Sequence, residues 1–190
     1  MEKEYVNDKQ LQIAMTEYRN LKLDNVARTP NNEKLGTVSQ VYNNTTGAGE
    51  QVYAVVKNPK ENAEDVQEVT VLFRGSTGPD HIFKETADVW NDWAENDFVI
   101  GTHILKQNVP SDQDQSTEQL KASARALKDI MEKYPNAKIN IYGHSLGSMD
   151  AQYAMTALEA AQIERIQQAY IFNGPDIYRI LSPEQRKIVD

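Results

Sequence analysis

The sequence predicts an α/β domain in which helices flank a mostly parallel sheet, and three observations carry that expectation. Between residues 68 and 173, runs rich in β-branched and aromatic residues alternate with two segments whose apolar residues recur every three or four positions, the order that parallel crossovers produce. Ahead of this block, an amphipathic segment and two more strand-like runs add an N-terminal helix and a β-hairpin. Finally, "IYGHSLGSMD" (residues 141–150) sets a serine between two glycines where an apolar run passes into a helical pattern.

Taken in order, residues 8–23 place Leu11, Met15, Tyr18 and Leu21 at helical spacing, which predicts a first helix packed on the sheet. "TVSQVY" (37–42), "QVYAVV" (51–56) and "EVTVLF" (68–73) read as strands, the third apolar enough for a sheet interior. The glycine-containing loop between the first two suggests an antiparallel hairpin. Turn-forming residues mark loops at 28–36, 43–50 and 106–116. Ser116 is a plausible N-cap for a helix carrying Leu120, Ala124, Leu127, Met131 and Tyr134 on one face and ending at Pro135. A short strand through "KINIYGHS" follows, then a helix from about Leu146 to Ile163 and a strand through "QQAYIFNG". Ser182 before Pro183 reads as the N-cap of a last helix, still running at Asp190.

With 190 residues, 39% of them hydrophobic, the chain can build one domain over residues 1–190 with a sizeable core. A formal charge of −8 opposes binding to phosphate backbones and offers no broad basic face, which argues against nucleic acid as a partner. Cysteine is absent, so disulfides, thiolate nucleophiles and cysteine metal sites are excluded. The start, "MEKEYVNDKQ", carries acidic residues where a cleavable signal needs positive charge, and no run reaches membrane-spanning length. Cytoplasmic residence and export by a signal-less route both stay open.

Gly143-His144-Ser145-Leu146-Gly147 matches G-x-S-x-G, the pattern of a nucleophile elbow, in the context that makes it informative: strand before, helix after. A nucleophile there needs a strained turn that lifts its hydroxyl off the sheet edge, and residues without side chains let strand and helix approach closely. The helix start aims its free N–H groups and positive dipole end at the same place, so the Leu146 N–H is the expected oxyanion donor. Read by itself, GHSLG also fits an ordinary glycine-rich strand-to-helix turn. His144 is expected to pack or orient the turn rather than serve as base, because adjacent residues point to different sides. The strand "VTVLFRGSTG" (69–78) offers Ser76 as a second oxyanion donor through its backbone N–H, although an ordinary strand-ending turn fits as well.

Together these segments resemble the class 3 lipases, a branch of the α/β-hydrolases in which an apolar strand ending F-R-G-[ST] precedes a G-H-S-L-G elbow. The resemblance runs from residue 69 to about 175 and includes "ADVWNDWAEND" (87–97) and "YIFNGPD" (170–176); "NDKQLQIAMTEY" is similar to the first helix of bacterial members. It implies an α/β-hydrolase fold and a serine esterase acting on a lipid or other acyl ester, phospholipase A1 chemistry included. Ser145 would be the nucleophile, with Ser76 and Leu146 forming the oxyanion hole. No metal or organic cofactor is required. Residues 77–103, with Trp90 and Trp93, fall where such lipases carry a lid that opens at a lipid surface; core packing of the two tryptophans is the competing reading.

In this architecture the chain order is Ser, then Asp or Glu, then His. The chain has only His81, His103 and His144, none of them after Ser145. Asp176 matches a turn position of the family, and Asp190 is the last residue. The expectation is therefore that this is the N-terminal portion of a longer hydrolase, truncated before the last strands, with acid and base beyond residue 190. A catalytically inactive relative serving as a binding module competes with it, as does a base supplied by His81 or His103 from the lid side.

Overall fold

A computed structural model describes residues 8–19, 21–44, 48–75, 116–174 and 176–189. The described strands are β1 (Val26–Arg28), β2 (Lys34–Asn43), β3 (Gln51–Val56), β4 (Glu68–Phe73), β5 (Lys138–His144) and β6 (Ile166–Phe172). They form one six-stranded sheet in chain order. β1 to β4 pair antiparallel in succession, while β4–β5 and β5–β6 pair parallel. Strands β2, β4, β5 and β6 thus run one way and β1 and β3 the other. The parallel half is the strand, helix, strand, helix, strand block expected from the sequence.

Alternation along the strands divides the interior in two. Val69, Val71 and Phe73 of β4 with Ile139 and Ile141 of β5 face α2 (Glu118–Lys133) and α3 (Leu146–Thr156), where Leu120, Leu127, Ile130, Met131 and Met149 close the larger core. On the opposite face Tyr53, Val55, Leu72 and Tyr142 meet Ile13 and Ala14 of α1 (Lys9–Ala14) and Leu21 beyond it. Five of the six residues of β3 and of β4 are buried, because both faces are covered. β6 is the last of the described strands in the sheet and is only partly covered; Tyr170 stacks there between Tyr142 and Phe172, at 5.4 and 6.4 Å between ring centroids.

Several boundaries differ from the sequence expectation. Asp8 caps α1, its carboxylate accepting from the Gln10 and Leu11 N–H groups, but the helix tightens into a 3-10 turn over Met15–Tyr18 and ends at Arg19, which is extended. All four residues of the turn, Glu17 and Tyr18 among them, are buried. Thr117 rather than Ser116 caps α2; the Ser116 hydroxyl pairs with that of Tyr153. The helix expected over 146–163 breaks where Leu158 turns into the core, and Glu159 and Gln162 build a capping box that starts α4 (Ala160–Ile163). Ser182 and Gln185 exchange backbone-to-side-chain bonds at the start of α5 (Pro183–Val189), as its sequence suggests. β1 was not expected: it pairs with β2 across a turn in which Asn32 adopts φ 67°.

Arg165 ties α2 to the sheet. Its guanidinium donates to the carbonyls of Met131 (3.1 Å), Tyr134 and Ala137 (3.2 Å), serving the helix end where no intrahelical donor remains. Arg165→Ala should lower unfolding free energy in urea by about 1–3 kcal/mol, the usual cost of part-buried carbonyls that lose charged donors.

Candidate active site

Ser145 is the single residue between β5 and α3, and its backbone carries the strain expected of an elbow: φ 58° and ψ −124°. Positive φ at a residue with a Cβ costs on the order of 1–3 kcal/mol and persists only where the surroundings over-determine it. Here they do. The Ser145 N–H donates to the Phe172 carbonyl of β6 at 2.9 Å, and its own carbonyl accepts from the Ser148 hydroxyl (2.6 Å) and the Ser148 N–H (3.1 Å). Its side chain makes no capping bond to α3, so the hydroxyl is not spent on the helix.

The two motif glycines explain how the strand and helix come so close. A Cβ on Gly143 would lie 2.6 Å from the Gly147 carbonyl oxygen, and one on Gly147 would lie 1.9 Å from that of Phe73. Backbone packs on backbone at both points, which no side chain allows. Leu146, the first residue of α3, is 2% exposed, and its N–H is among the first-turn donors that lack an intrahelical acceptor.

His144 is buried and its ring meets Tyr18. Its Nδ1 is 3.0 Å from the Tyr18 hydroxyl, and the two rings meet edge to face at 78°. Burial pushes its pKa down to about 4, so the ring is neutral near pH 7. This is the packing and orienting role its sequence position suggests. Among the described residues no side chain bonds the Ser145 hydroxyl. Asp176 is exposed, and its carboxylate accepts from the Tyr178 N–H at 2.8 Å, an ordinary turn cap. Ser76, the 77–103 segment with Trp90 and Trp93, His81, His103 and Asp190 all lie outside the described residues.

Two buried acids escaped the sequence reading. Glu17, fully buried, accepts from the Gly75 N–H at 3.2 Å just past the end of β4. Its signal was available: it falls three and four positions after Ala14 and Ile13, inside the apolar stripe of the first helix. Asp150 sits on α3, 1% exposed, and accepts from the Gln119 amide at 2.9 Å. Burial raises its pKa to about 7 against that hydrogen bond.

Two grooves stand apart from the serine. One, of about 370 Å³, is lined by polar residues of the face that α1 borders, Thr70, Asn140 and Gln168 among them; the other, about 330 Å³, lies among α3, α5 and the segment near Ile177. Neither is lined by Ser145 or Leu146. Among the described residues, no three His, Cys, Asp or Glu side chains cluster as a metal ion would need. None of the described helices is long and apolar enough to cross a membrane.

Fold and site together define a mixed α/β protein with a strained serine at a strand-to-helix elbow. A family model described as Mbeg1-like matches residues 93–186, a span that includes β5, Ser145, α3 and β6. No curated protein and no solved structure matches the chain.

Asp150 yields a pH prediction. Its folded pKa, about 7, lies above its ordinary value of 3.8, so the folded state holds the proton more tightly and the stabilisation is complete below pH 4. It is lost as pH rises through about 7. Relative to the wild type, Asp150→Asn should flatten the fall in stability between pH 4 and 7 in urea titrations; equal slopes for both proteins would contradict a buried neutral Asp150.

Proposed function

We propose that this chain carries the nucleophile of a serine ester hydrolase of lipase or phospholipase A1 type. The observation that supports it most is the Ser145 backbone, held at φ 58° by bonds from both sides, with its hydroxyl bonded to no side chain among the described residues. Strain of this kind contributes nothing to stability, whereas it aims an oxygen outward at the start of a helix.

In the reaction, the Ser145 Oγ attacks an acyl carbonyl carbon and its proton passes to a base. The carbonyl oxygen takes up negative charge facing the Leu146 N–H and the positive end of α3. The Ser76 N–H, by resemblance to class 3 lipases, is the second donor. Collapse of the tetrahedral species expels the alcohol and leaves an acyl-enzyme, which water hydrolyses. His144 is unsuited as the base, with Nδ1 engaged by Tyr18 and a pKa of about 4. The reading therefore requires an acid and a histidine from outside the described residues. A lipid or glycerolipid ester is the preferred substrate class on the same resemblance.

One observation favours a second reading, a hydrolase-like module that binds without reacting: no described side chain reaches the Ser145 hydroxyl. A fluorophosphonate probe separates the two, because it labels only an activated serine. With the natural full-length protein in mild detergent, we expect stoichiometric labelling at Ser145. We also expect Ser145→Ala to abolish the label and lower ester turnover by at least ~1000-fold. An unlabelled wild type beside a labelled control hydrolase would favour the binding module.

A further inference from the structure

The parallel ladder between β4 and β5 ends at the pair Phe73–Gly143, so beyond it no sheet hydrogen bond holds the two strand ends together. Both ends matter to an acyl-transfer site, since Leu146 follows one and Gly75 the other. The gap between them is bridged by the 3-10 turn Met15–Tyr18. Glu17 Oε1 accepts from the Gly75 N–H, and the neighbouring Tyr18 hydroxyl bonds His144 Nδ1. Consecutive residues of one turn thereby grip the exit of β4 and the exit of β5. The fit is close: a Cβ on Gly75 would stand 2.5 Å from the Tyr18 hydroxyl oxygen and 3.0 Å from the His144 carbonyl oxygen.

An acid is a costly way merely to fill this space. Glu17 has no solvent exposure, and its second oxygen, Oε2, has no hydrogen-bond partner among the described residues. A buried polar atom left so costs on the order of 1–3 kcal/mol, which an apolar side chain of similar size would avoid. What the carboxyl provides and an apolar group cannot is a directed acceptor for one particular backbone N–H.

We propose that Glu17 and Tyr18 are positioning residues of the Ser145 site, which hold the end of β4, through Gly75, and the end of β5, through His144, at the spacing that acyl transfer needs. The proposal rests on the hydrolase reading of Ser145. The electrostatics suit it. Burial pushes the Glu17 carboxyl well above the ordinary range, outweighing the pull of the Gly75 N–H, and it likewise raises Tyr18. Burial thus disfavours the charged forms of both side chains, and His144, pushed down to about 4, is neutral near pH 7. With Tyr18 donating, His144 Nδ1 is the acceptor and its ring proton resides on Nε2.

The test uses the natural full-length protein with para-nitrophenyl butyrate and a fluorophosphonate probe. Glu17→Ala should lower kcat about tenfold or more with KM little changed, and slow labelling of Ser145 by a similar factor, as for a small misplacement of reacting groups. Glu17→Gln, whose amide oxygen can accept the same N–H, should recover to within about threefold of the wild type. Tyr18→Phe removes one oxygen and keeps the ring, so it decides the matter if Glu17→Ala does not fold; its kcat should fall about threefold or more. Folded Glu17→Ala and Tyr18→Phe proteins with wild-type kcat and labelling rates would overturn the positioning role while leaving the hydrolase reading intact. So would a loss in Glu17→Gln as large as in Glu17→Ala. A wild type that does not label would instead overturn the hydrolase reading itself.

Discussion

Where α3 crosses the end of β4, main chain touches main chain: a Cβ on Gly147 would fall 1.9 Å from the Phe73 carbonyl oxygen. That approach depends on the parallel register of β4 and β5, which aligns Phe73 with Gly143 one residue before the strand ends. It leaves the chain a single residue, Ser145, in which to turn from strand to helix. Positive φ follows from that shortage of chain. The bonds from Phe172 and Ser148 spread the strain over β6 and the first turn of α3, so three neighbouring elements share in holding one serine.

Around this crossing lie the buried titratable side chains of Glu17, His144 and Asp150. Burial raises Glu17 and Asp150 and lowers His144, so each is pushed toward its neutral form; near pH 7 the His144 ring is neutral and Asp150 is in mid-titration. The same groups tie the elbow to its supports: Asp150 holds α3 to Gln119 of α2, and Tyr18 holds His144 to the N-terminal turn.

Much of this could be read from residue order, and the misses share one cause. β2 to β6 declared themselves through β-branched runs between turn residues, and the elbow through two glycines whose spacing has a steric reason. β1 gave no such run, since its three residues become a strand only by pairing with β2. The first helix kept its periodicity in sequence but tightened after Ala14, because its partners lie far along the chain. Glu17 meets Gly75 across 58 positions and Tyr18 meets His144 across 126. Local propensity carries no information about contacts of that range, so the apolar stripe could be seen while the acid within it went unread. The break after Thr156 is similar: Leu158 leaves helical geometry to enter the core, a choice that packing makes.

The most direct measurement is a crystal structure of the natural full-length protein carrying a phosphonate on Ser145. The account predicts that Ser145 keeps positive φ in the adduct and that one phosphoryl oxygen lies about 3 Å from the Leu146 N–H, where an oxyanion would sit. An adduct oxygen pointing into solvent, or a Ser145 backbone relaxed to negative φ, would contradict it.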